Sequence, residues 1–374
     1  MHKWVDVTAK EVKAFIAVEI AMGLMHKPSL DSYFSDGFFL THSPGFSKIF
    51  SRDQYQLIRS CLHFVDNDLK NDDNDRLYKI KDVLDIVRDT YELYYVPHRE
   101  LSVDETMVKF KGRIFFKQYL PKPGTRWGIK LWSLCDATTG YLLKFFVYTG
   151  KEDSADKDIG LGQRVVESLL EGYENKGHIV FTDNFYSGIS LFESLRNKDI
   201  GACGTIRPHR KGLPLDIRTL KPKKGDSPII WQNGESNLIS CTWQDTGRVN
   251  MISTVGDVGT SNQEVKSKRG SATRTVCKPN INILYNKYMG GVDKFDQLCA
   301  TYPFSRKSQK WYHTLWHFVI EASLVNGNIL YNSMNKTKRM SQKKFREGVI
   351  NGLLDGYEQR SLAKKKVIVC LTQR

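Results

Sequence analysis

The chain has 374 residues, and Lys and Arg outnumber Asp and Glu by 56 to 41 for a formal net charge of +15. Hydrophobic residues make up 40% and charged residues 26%, the balance of a globular chain long enough for two or three structural units. No apolar run is long enough to span a bilayer and no signal peptide opens the chain, so the excess charge points to nucleic acid rather than an acidic membrane surface. The seven cysteines (61, 135, 203, 241, 277, 299 and 370) are scattered singly with no C-x-x-C pair. That argues for a reducing compartment, against disulfides and against a cysteine-rich zinc site.

Residues 1–98 read as helical. Thr8 and Glu11 have capping-box spacing ahead of an apolar stripe at Val12, Phe15, Ile16, Ile20 and Leu24. Ser51 and Gln54 repeat the signal before Leu57, Ile58, Cys61 and Leu62. A third stripe runs from Leu77 to Tyr94, and Pro97 ends it. At residue 101 the period changes to two. LSVDETMVKF alternates like a strand, and GIKLWSLCDATTGYLLKFFVYTG reads as a hairpin turned at Asp136–Gly140. GLGQRVVESLLEGYENKG then has helical period, and HIVFTDNF is a short apolar strand of the kind buried on both faces. SGISLFESLRNKDI reads as a helix opened by Ser187, and GACGTIR as a closing strand. The resulting order is β-β-β-α-β-α-β: an antiparallel meander followed by parallel crossovers.

Residues 206–275 break that pattern with three short strands joined by Asn-Gly and Thr-Gly turns, and they carry 12 Lys/Arg against 6 Asp/Glu. They read as a basic, β-rich insertion. Helical period returns after Pro279, with one face formed by Trp311, Leu315, Phe318, Val319, Ala322, Val325 and Ile329. The tail from 334 to 374 has 11 Lys/Arg against 3 Asp/Glu, and Lys364-Lys365-Lys366 is a weak signal for nuclear import. The expected boundaries are therefore 1–98 helical, 99–206 core, 207–275 insertion, 276–303 a final core helix, and 304–374 a second helical part with a basic tail.

Chemistry is expected where aspartates gather. Asp104 lies in the first strand and Asp183 at the carboxyl end of the fourth, the end that faces the crevice in open α/β sheets. If those strands are neighbours the two carboxylates approach, and at 4 Å they repel by roughly 4 kcal/mol at an effective dielectric near 20. A proton, a cation or a metal has to offset that. YNKYMGGVDKFDQ, residues 285–297, places Asp293 and Asp296 on one helical face behind Gly290 and Gly291, which would let the helix start pass close to the sheet. On spacing alone, aspartates of a first helical turn paired with Lys287 or Lys294 explain it better.

The cations shift that balance. Between Val108 and Lys130 stand Lys109, Lys111, Arg113, Lys117, Lys122, Arg126 and Lys130, with no acid among them. A cation-rich ribbon beside carboxylates suits a phosphate backbone held for metal-assisted cleavage. Phe110, Phe115, Phe116, Tyr119 and Trp127 are interleaved with it; most read as core, although such rings also stack on bases. Oxygen ligands of this kind suit Mg²⁺ or Mn²⁺. No P-loop, G-x-S-x-G or H-E-x-x-H is present. His313 and His317 have metal-capable spacing but no third ligand nearby, so a helix-packing or phosphate-contact role is expected.

At SVDETMVKFKGR (102–113), WGIKLWSLCDATTGY (127–141), VFTDNFYSGISLFESL (180–195) and YNKYMGGVDKFDQ (285–297) the chain resembles the piggyBac transposase family, DDE/D recombinases of RNase H-like fold. The resemblance spans nearly the whole chain. It implies an α/β fold: an RNase H-like mixed-sheet core with a β-rich insertion, flanked by a split helical domain for DNA binding and dimerisation. It implies Asp104, Asp183 and Asp293 as a catalytic triad holding two Mg²⁺ (or Mn²⁺) ions, with Asp296 as an accessory acid. It also implies cut-and-paste transposition at TTAA sites on double-stranded DNA, by a nuclear homodimer without membrane attachment. Arg207, Arg210, Lys211, Arg306, Lys307 and Lys310 join Lys109, Lys111, Arg113, Lys117, Arg126 and Lys130 as expected DNA contacts. Family members often end in a cysteine/histidine-rich zinc domain, and after His317 only Cys370 remains here as a soft ligand. The alternative expectation is therefore a domesticated or truncated DNA-binding remnant. A basic protein that binds RNA or acidic membranes has only the net charge behind it.

Overall fold

The computed structural model describes residues 6–35, 37–66, 68, 75–120, 127–150, 159–266 and 273–357. Lys122, Arg126, Cys370 and the lysines at 364–366 lie outside the described residues. The chain forms two compact units, one of Met1–Ile86 with Cys299–Arg374 and one of Val87–Leu298.

The first unit opens with α1 (Ala9–Leu24), α2 (Pro44–Ile49) and α3 (Arg52–Cys61). Both expected caps form: Thr8 and Glu11 close a reciprocal capping box, and the Ser51 hydroxyl accepts from the Gln54 amide. Phe15, Val18, Tyr33, Phe50 and Tyr55 pack as one cluster. Each such ring contributes roughly 2–3 kcal/mol by leaving water. α4 (Lys81–Tyr94) leads into the second unit.

That second unit is built on one mixed sheet. Its strands are β1 (Glu100–Lys109), β2 (Gln118–Tyr119), β3 (Trp127–Asp136) and β4 (Leu142–Val147), then β5 (Ile179–Thr182) and β6 (Gly201–Thr205) after α5 (Leu161–Leu169) and α6 (Ile189–Arg196). β3 runs antiparallel between β4 and β1, whereas β5 and β6 run parallel to β1 and to each other. The order β4-β3-β1-β5-β6 is the RNase H-like core the sequence leads one to expect. All four residues of β5 are buried, which explains its unbroken apolar run in the middle of the sheet.

After the short α7 (Leu215–Thr219) come β7 (Ile229–Gln232), β8 (Ile239–Gln244) and β9 (Arg248–Ser253). They continue the same sheet, because β9 pairs antiparallel with β6 and the order runs on through β8 to β7. β10 (Thr260–Lys266) and β11 (Thr273–Pro279) form a separate two-stranded ribbon. It leads into α8 (Asn280–Tyr288) and α9 (Gly291–Cys299).

Two long helices, α10 (Trp311–Met334) and α11 (Gln342–Leu354), complete the first unit. His313 and His317 serve packing there: His313 Nε2 lies 3.0 Å from the Leu62 carbonyl, and His317 Nε2 lies 2.7 Å from Glu19.

Candidate active site

The register of β1 and β5 decides the position of the first two aspartates. Val103 stands opposite Thr182 in that parallel pair, so the next residues, Asp104 and Asp183, emerge side by side with backbones about 4.8 Å apart. Asp104 is half-buried, and its Oδ1 accepts from the Glu105 amide at 2.8 Å. Burial first, then the neighbouring carboxylates of Glu105 and Asp183, pushes its carboxyl up to about 8. Glu105 is pulled the other way: despite its burial, Lys130 at 2.8 Å holds it below the usual carboxylate range. The Tyr186 hydroxyl is buried beside Glu105, Asp104 and Asp183, and burial with those three charges pushes it far up.

Asp183 is presented by a tight turn. Its Oδ1 accepts from the Phe185 amide at 2.8 Å, and its carbonyl accepts from the Ser187 amide and hydroxyl. Ser187 therefore does not open the following helix: the N-cap position of α6 is Gly188, and the Ser187 hydroxyl is committed to Thr182 and Asp183. Gly204 makes room for this turn, since a Cβ there would stand 2.3 Å from Ser187 Oγ and 2.6 Å from the Thr182 carbonyl.

α9 lies along the same face of β1, on which Ser102, Asp104 and Thr106 alternate. Gly291 is the point of closest approach; a Cβ would meet Ser102 Oγ at 2.2 Å and the Ala137 backbone at 2.9 Å. Gly290, by contrast, has open space around it. One helical turn on, Asp296 accepts from Thr106 Oγ1 at 3.1 Å and is half-buried, and burial pushes its carboxyl up to about 7. Asp293 is exposed in the first turn of α9. Of the two aspartates of this motif, Asp296 is the one packed against β1.

The expected basic residues fall into different settings. Lys109, Lys111 and Arg113 are exposed, and Lys117 donates to the Gly112 carbonyl at 2.9 Å. Lys130 is committed to Glu105 and sits over the Trp132 and Phe185 rings. Arg207 Nε donates to Asn184 Oδ1 at 3.1 Å, and Arg210 donates to the Phe185 carbonyl at 2.6 Å. These bonds fasten the turn after β6 to the turn that carries Asp183, and Lys211 is exposed next to it. In the first unit Arg306 packs over and bonds Tyr33, Lys310 donates to the Ser60 carbonyl, and Lys307 is exposed. Arg126 is outside the described residues.

Sequence reasoning missed Glu105, Lys130 as its partner, Tyr186 and Thr106. Glu105 was legible in principle as the residue after Asp104, but alternation assigns it to the opposite face, and only the Lys130 contact gives it weight.

Among the described residues no group of three His, Cys, Asp or Glu side chains is gathered to hold a metal ion. The donor set still fits a hard divalent cation: Asp104 and Asp183 are oxygen ligands, adjacent and partly buried. Exposed Asp293 stands apart from that set in this conformation.

Comparison with known proteins agrees with this architecture. The family described as Transposase IS4 matches residues 1–328. Human PiggyBac transposable element-derived protein 2 is 28% identical over 331 residues, covering 86% of this chain and 55% of that protein. Human PiggyBac transposable element-derived protein 5 is 24% identical over 376 residues, covering 96% and 69%. The chain thus spans little more than half the length of the first of these relatives. In fold it matches a piggyBac transposase seen in a synaptic complex with hairpin DNA, with a TM-score of 0.83 at 22% identity over 100% of this chain and 76% of that one. The chain belongs to the family described as Transposase IS4 and is similar to the piggyBac-derived proteins within it.

Proposed function

We propose that this protein cleaves DNA and transfers the cut strand, acting as a cut-and-paste transposase at TTAA sites. The observation that carries the reading is the parallel register of β1 and β5, which sets Asp104 and Asp183 side by side. In this reading Asp104 and Asp183 hold divalent cations, Asp293 completes the ligand set, and Asp296 is the accessory acid. Mg²⁺ or Mn²⁺ bound there supplies activation of water or a 3′-hydroxyl and stabilisation of the leaving oxygen. The chain's own residues prepare for this. Lys130 keeps Glu105 ionised next to the pair, and Tyr186 closes its buried side. Thr106 holds Asp296, poised near neutrality to keep or release a proton. Exposed Lys109, Lys111, Arg113, Arg207 and Lys211 supply phosphate contacts for double-stranded DNA. A homodimer acting in the nucleus belongs to the same proposal.

A second reading, a DNA-binding remnant without catalysis, is favoured by the position of Asp293, which is exposed on α9 and is not gathered with Asp104 and Asp183 into a metal-holding group among the described residues. One experiment separates the two. Purified protein with Mg²⁺ or Mn²⁺ and a TTAA-flanked substrate is expected to nick and join strands, and Asp183→Ala to abolish both. Equal activity in wild type and variant, or none in either while DNA is bound, refutes the catalytic reading.

A further inference from the structure

At its carboxyl end β1 leads into aromatic rings that the core does not take up. Phe110 and Phe116 are buried, whereas Phe115, Tyr119 and Trp127 are 69%, 50% and 47% exposed. Tyr119 and Trp127 are direct partners across β2 and β3, with ring centroids 4.8 Å apart. Lys117 Nζ lies 5.2 Å over the Trp127 ring. The loop that carries Phe115 is tightly built. Gly112 lies so close over the Phe110 ring that a Cβ would meet it at 2.4 Å, and Lys117 closes the turn on the Gly112 carbonyl. Gly128 has Lys109 on one side and Gln118 on the other, and a Cβ there would stand 2.4 Å from the Val108 carbonyl. The rings are thus held by three converging strands and a closed turn.

Exposed Lys109, Lys111 and Arg113 lie on the same stretch. Asp104 is five residues before Lys109 on β1, about 17 Å away along an extended strand. Large exposed rings are costly in water and mark surfaces that meet a partner. Duplex DNA keeps its bases stacked inside and offers mainly phosphates to such a surface, which would engage the cations and leave the rings idle. An unpaired strand offers phosphates and open base faces together, and sequence-tolerant stacking on aromatic side chains is the general way such strands are held.

We propose that Phe115, Tyr119 and Trp127 form a stacking platform for unpaired DNA bases, tracked along the backbone by Lys109, Lys111 and Arg113, at the end of the strand that carries Asp104. This rests on the DNA-cleavage reading and adds to it a means of holding a separated strand near the candidate site.

The test compares binding of a labelled oligothymidine and of a duplex of equal length, by fluorescence anisotropy, to the whole chain. Tyr119→Ala and Trp127→Ala are each expected to weaken oligothymidine binding about tenfold or more while changing duplex binding less than about twofold. Lys111→Ala with Arg113→Ala is expected to weaken both and to flatten the salt dependence of each. Oligothymidine is also expected to quench wild-type tryptophan fluorescence more than that of Trp127→Phe, a variant that keeps a ring in place. Equal losses on both DNAs, no loss on either, or equal quenching in wild type and Trp127→Phe overturns the platform. If wild type binds the duplex and the aromatic variants bind oligothymidine like wild type, only the platform falls, and the rings are free to serve a protein partner. If wild type binds neither DNA, the platform and the DNA-cleavage reading fall together.

Discussion

Removing the Asp136 carboxylate is expected to loosen the sheet at the root of β1. The side chain is fully buried and accepts five hydrogen bonds. Oδ1 takes the amides of Thr138 at 2.9 Å and Thr139 at 2.8 Å. Oδ2 takes the His98 amide at 2.7 Å, His98 Nδ1 at 2.8 Å and the Tyr95 hydroxyl at 3.2 Å. One group thus ties the β3–β4 turn to the residues that lead into β1. The same turn supports α9: Lys294 donates to the Thr138 carbonyl, and Gly140, at a φ of +77°, lies against Lys294 and Phe295. Asp136→Ala strands several buried donors, at about 1–3 kcal/mol for each left without a partner, so a total loss of roughly 3–5 kcal/mol is expected once partial relaxation is allowed. Asp136→Asn keeps an oxygen for the Thr138 and Thr139 amides but turns an NH₂ toward the His98 amide, and about 2 kcal/mol is expected. Thr138→Ala, with its exposed side chain, should stay within about 0.5 kcal/mol. Urea unfolding followed by circular dichroism, with hydrogen exchange of the β1 amides, measures all three. A loss below about 1 kcal/mol for Asp136→Ala refutes the assignment of Asp136 as the tie. The pH dependence carries a sign. Burial alone raises the carboxyl, but the His98 and Thr139 bonds and the His98 charge more than offset it, so the folded value lies below the ordinary 3.8. The folded protein therefore releases this proton more readily than the unfolded chain. The stabilisation is present above 3.8 and is lost as pH falls through the folded value, so wild type and Asp136→Asn should converge in acid.

Gly291→Ala drives a Cβ into Ser102 and the Ala137 backbone and is expected to cost about 1–3 kcal/mol and to lower strand cleavage, whereas Gly290→Ala should change stability by less than about 0.5 kcal/mol. Equal melting temperatures for the two variants would show that α9 does not approach β1 as described. Asp296 titrates in the opposite sense to Asp136: its folded value is about 7, above the ordinary 3.8, so the folded state binds the extra proton. Its contribution is present below 3.8 and is lost as pH rises through 7. Without divalent cations, Asp296→Asn should therefore be more stable than wild type at pH 8 and equal to it near pH 3.5. A variant that is less stable at pH 8 contradicts the burial argument.

Much of the site could be read before any coordinates. Asp104 and Asp183 are legible because an alternating strand and a short apolar strand, separated by a meander and a helix, can be assigned to one sheet with their carboxyl ends on one side. The four family motifs then add Asp293 and Asp296 as expectations, of which the structure packs Asp296 against Thr106 of β1 and leaves Asp293 exposed. The caps at Thr8 and Ser51 are equally local, since each depends on residues three apart. The β10–β11 ribbon escapes such reading because TSNQEVK and TRTVCKP carry no apolar face to betray a strand. The α6 start is misread at Ser187 because that hydroxyl has two possible uses, and the turn carrying Asp183 takes it. Asp136 reads as an ordinary turn residue until His98 and Tyr95, some forty positions away, are brought to it.

The sequence by itself determines the local matters: where period two gives way to period 3.6, that Thr8 and Ser51 cap helices, and that Asp104 and Asp183 stand on or just after strands. These follow from interactions across a few residues. Tertiary structure alone decides that β7–β9 continue the core sheet, since the β6–β9 pairing joins Thr205 to Met251 across the segment that holds α7, β7 and β8. It alone decides that Gly291 and not Gly290 touches β1, and that Asp296 is half-buried while Asp293 is exposed. It also separates Phe110 and Phe116, which enter the core, from Phe115, Tyr119 and Trp127, which do not. The physical reason is the same in each case: burial and pairing are set by the element that arrives from elsewhere in the chain, and no short window of sequence contains it.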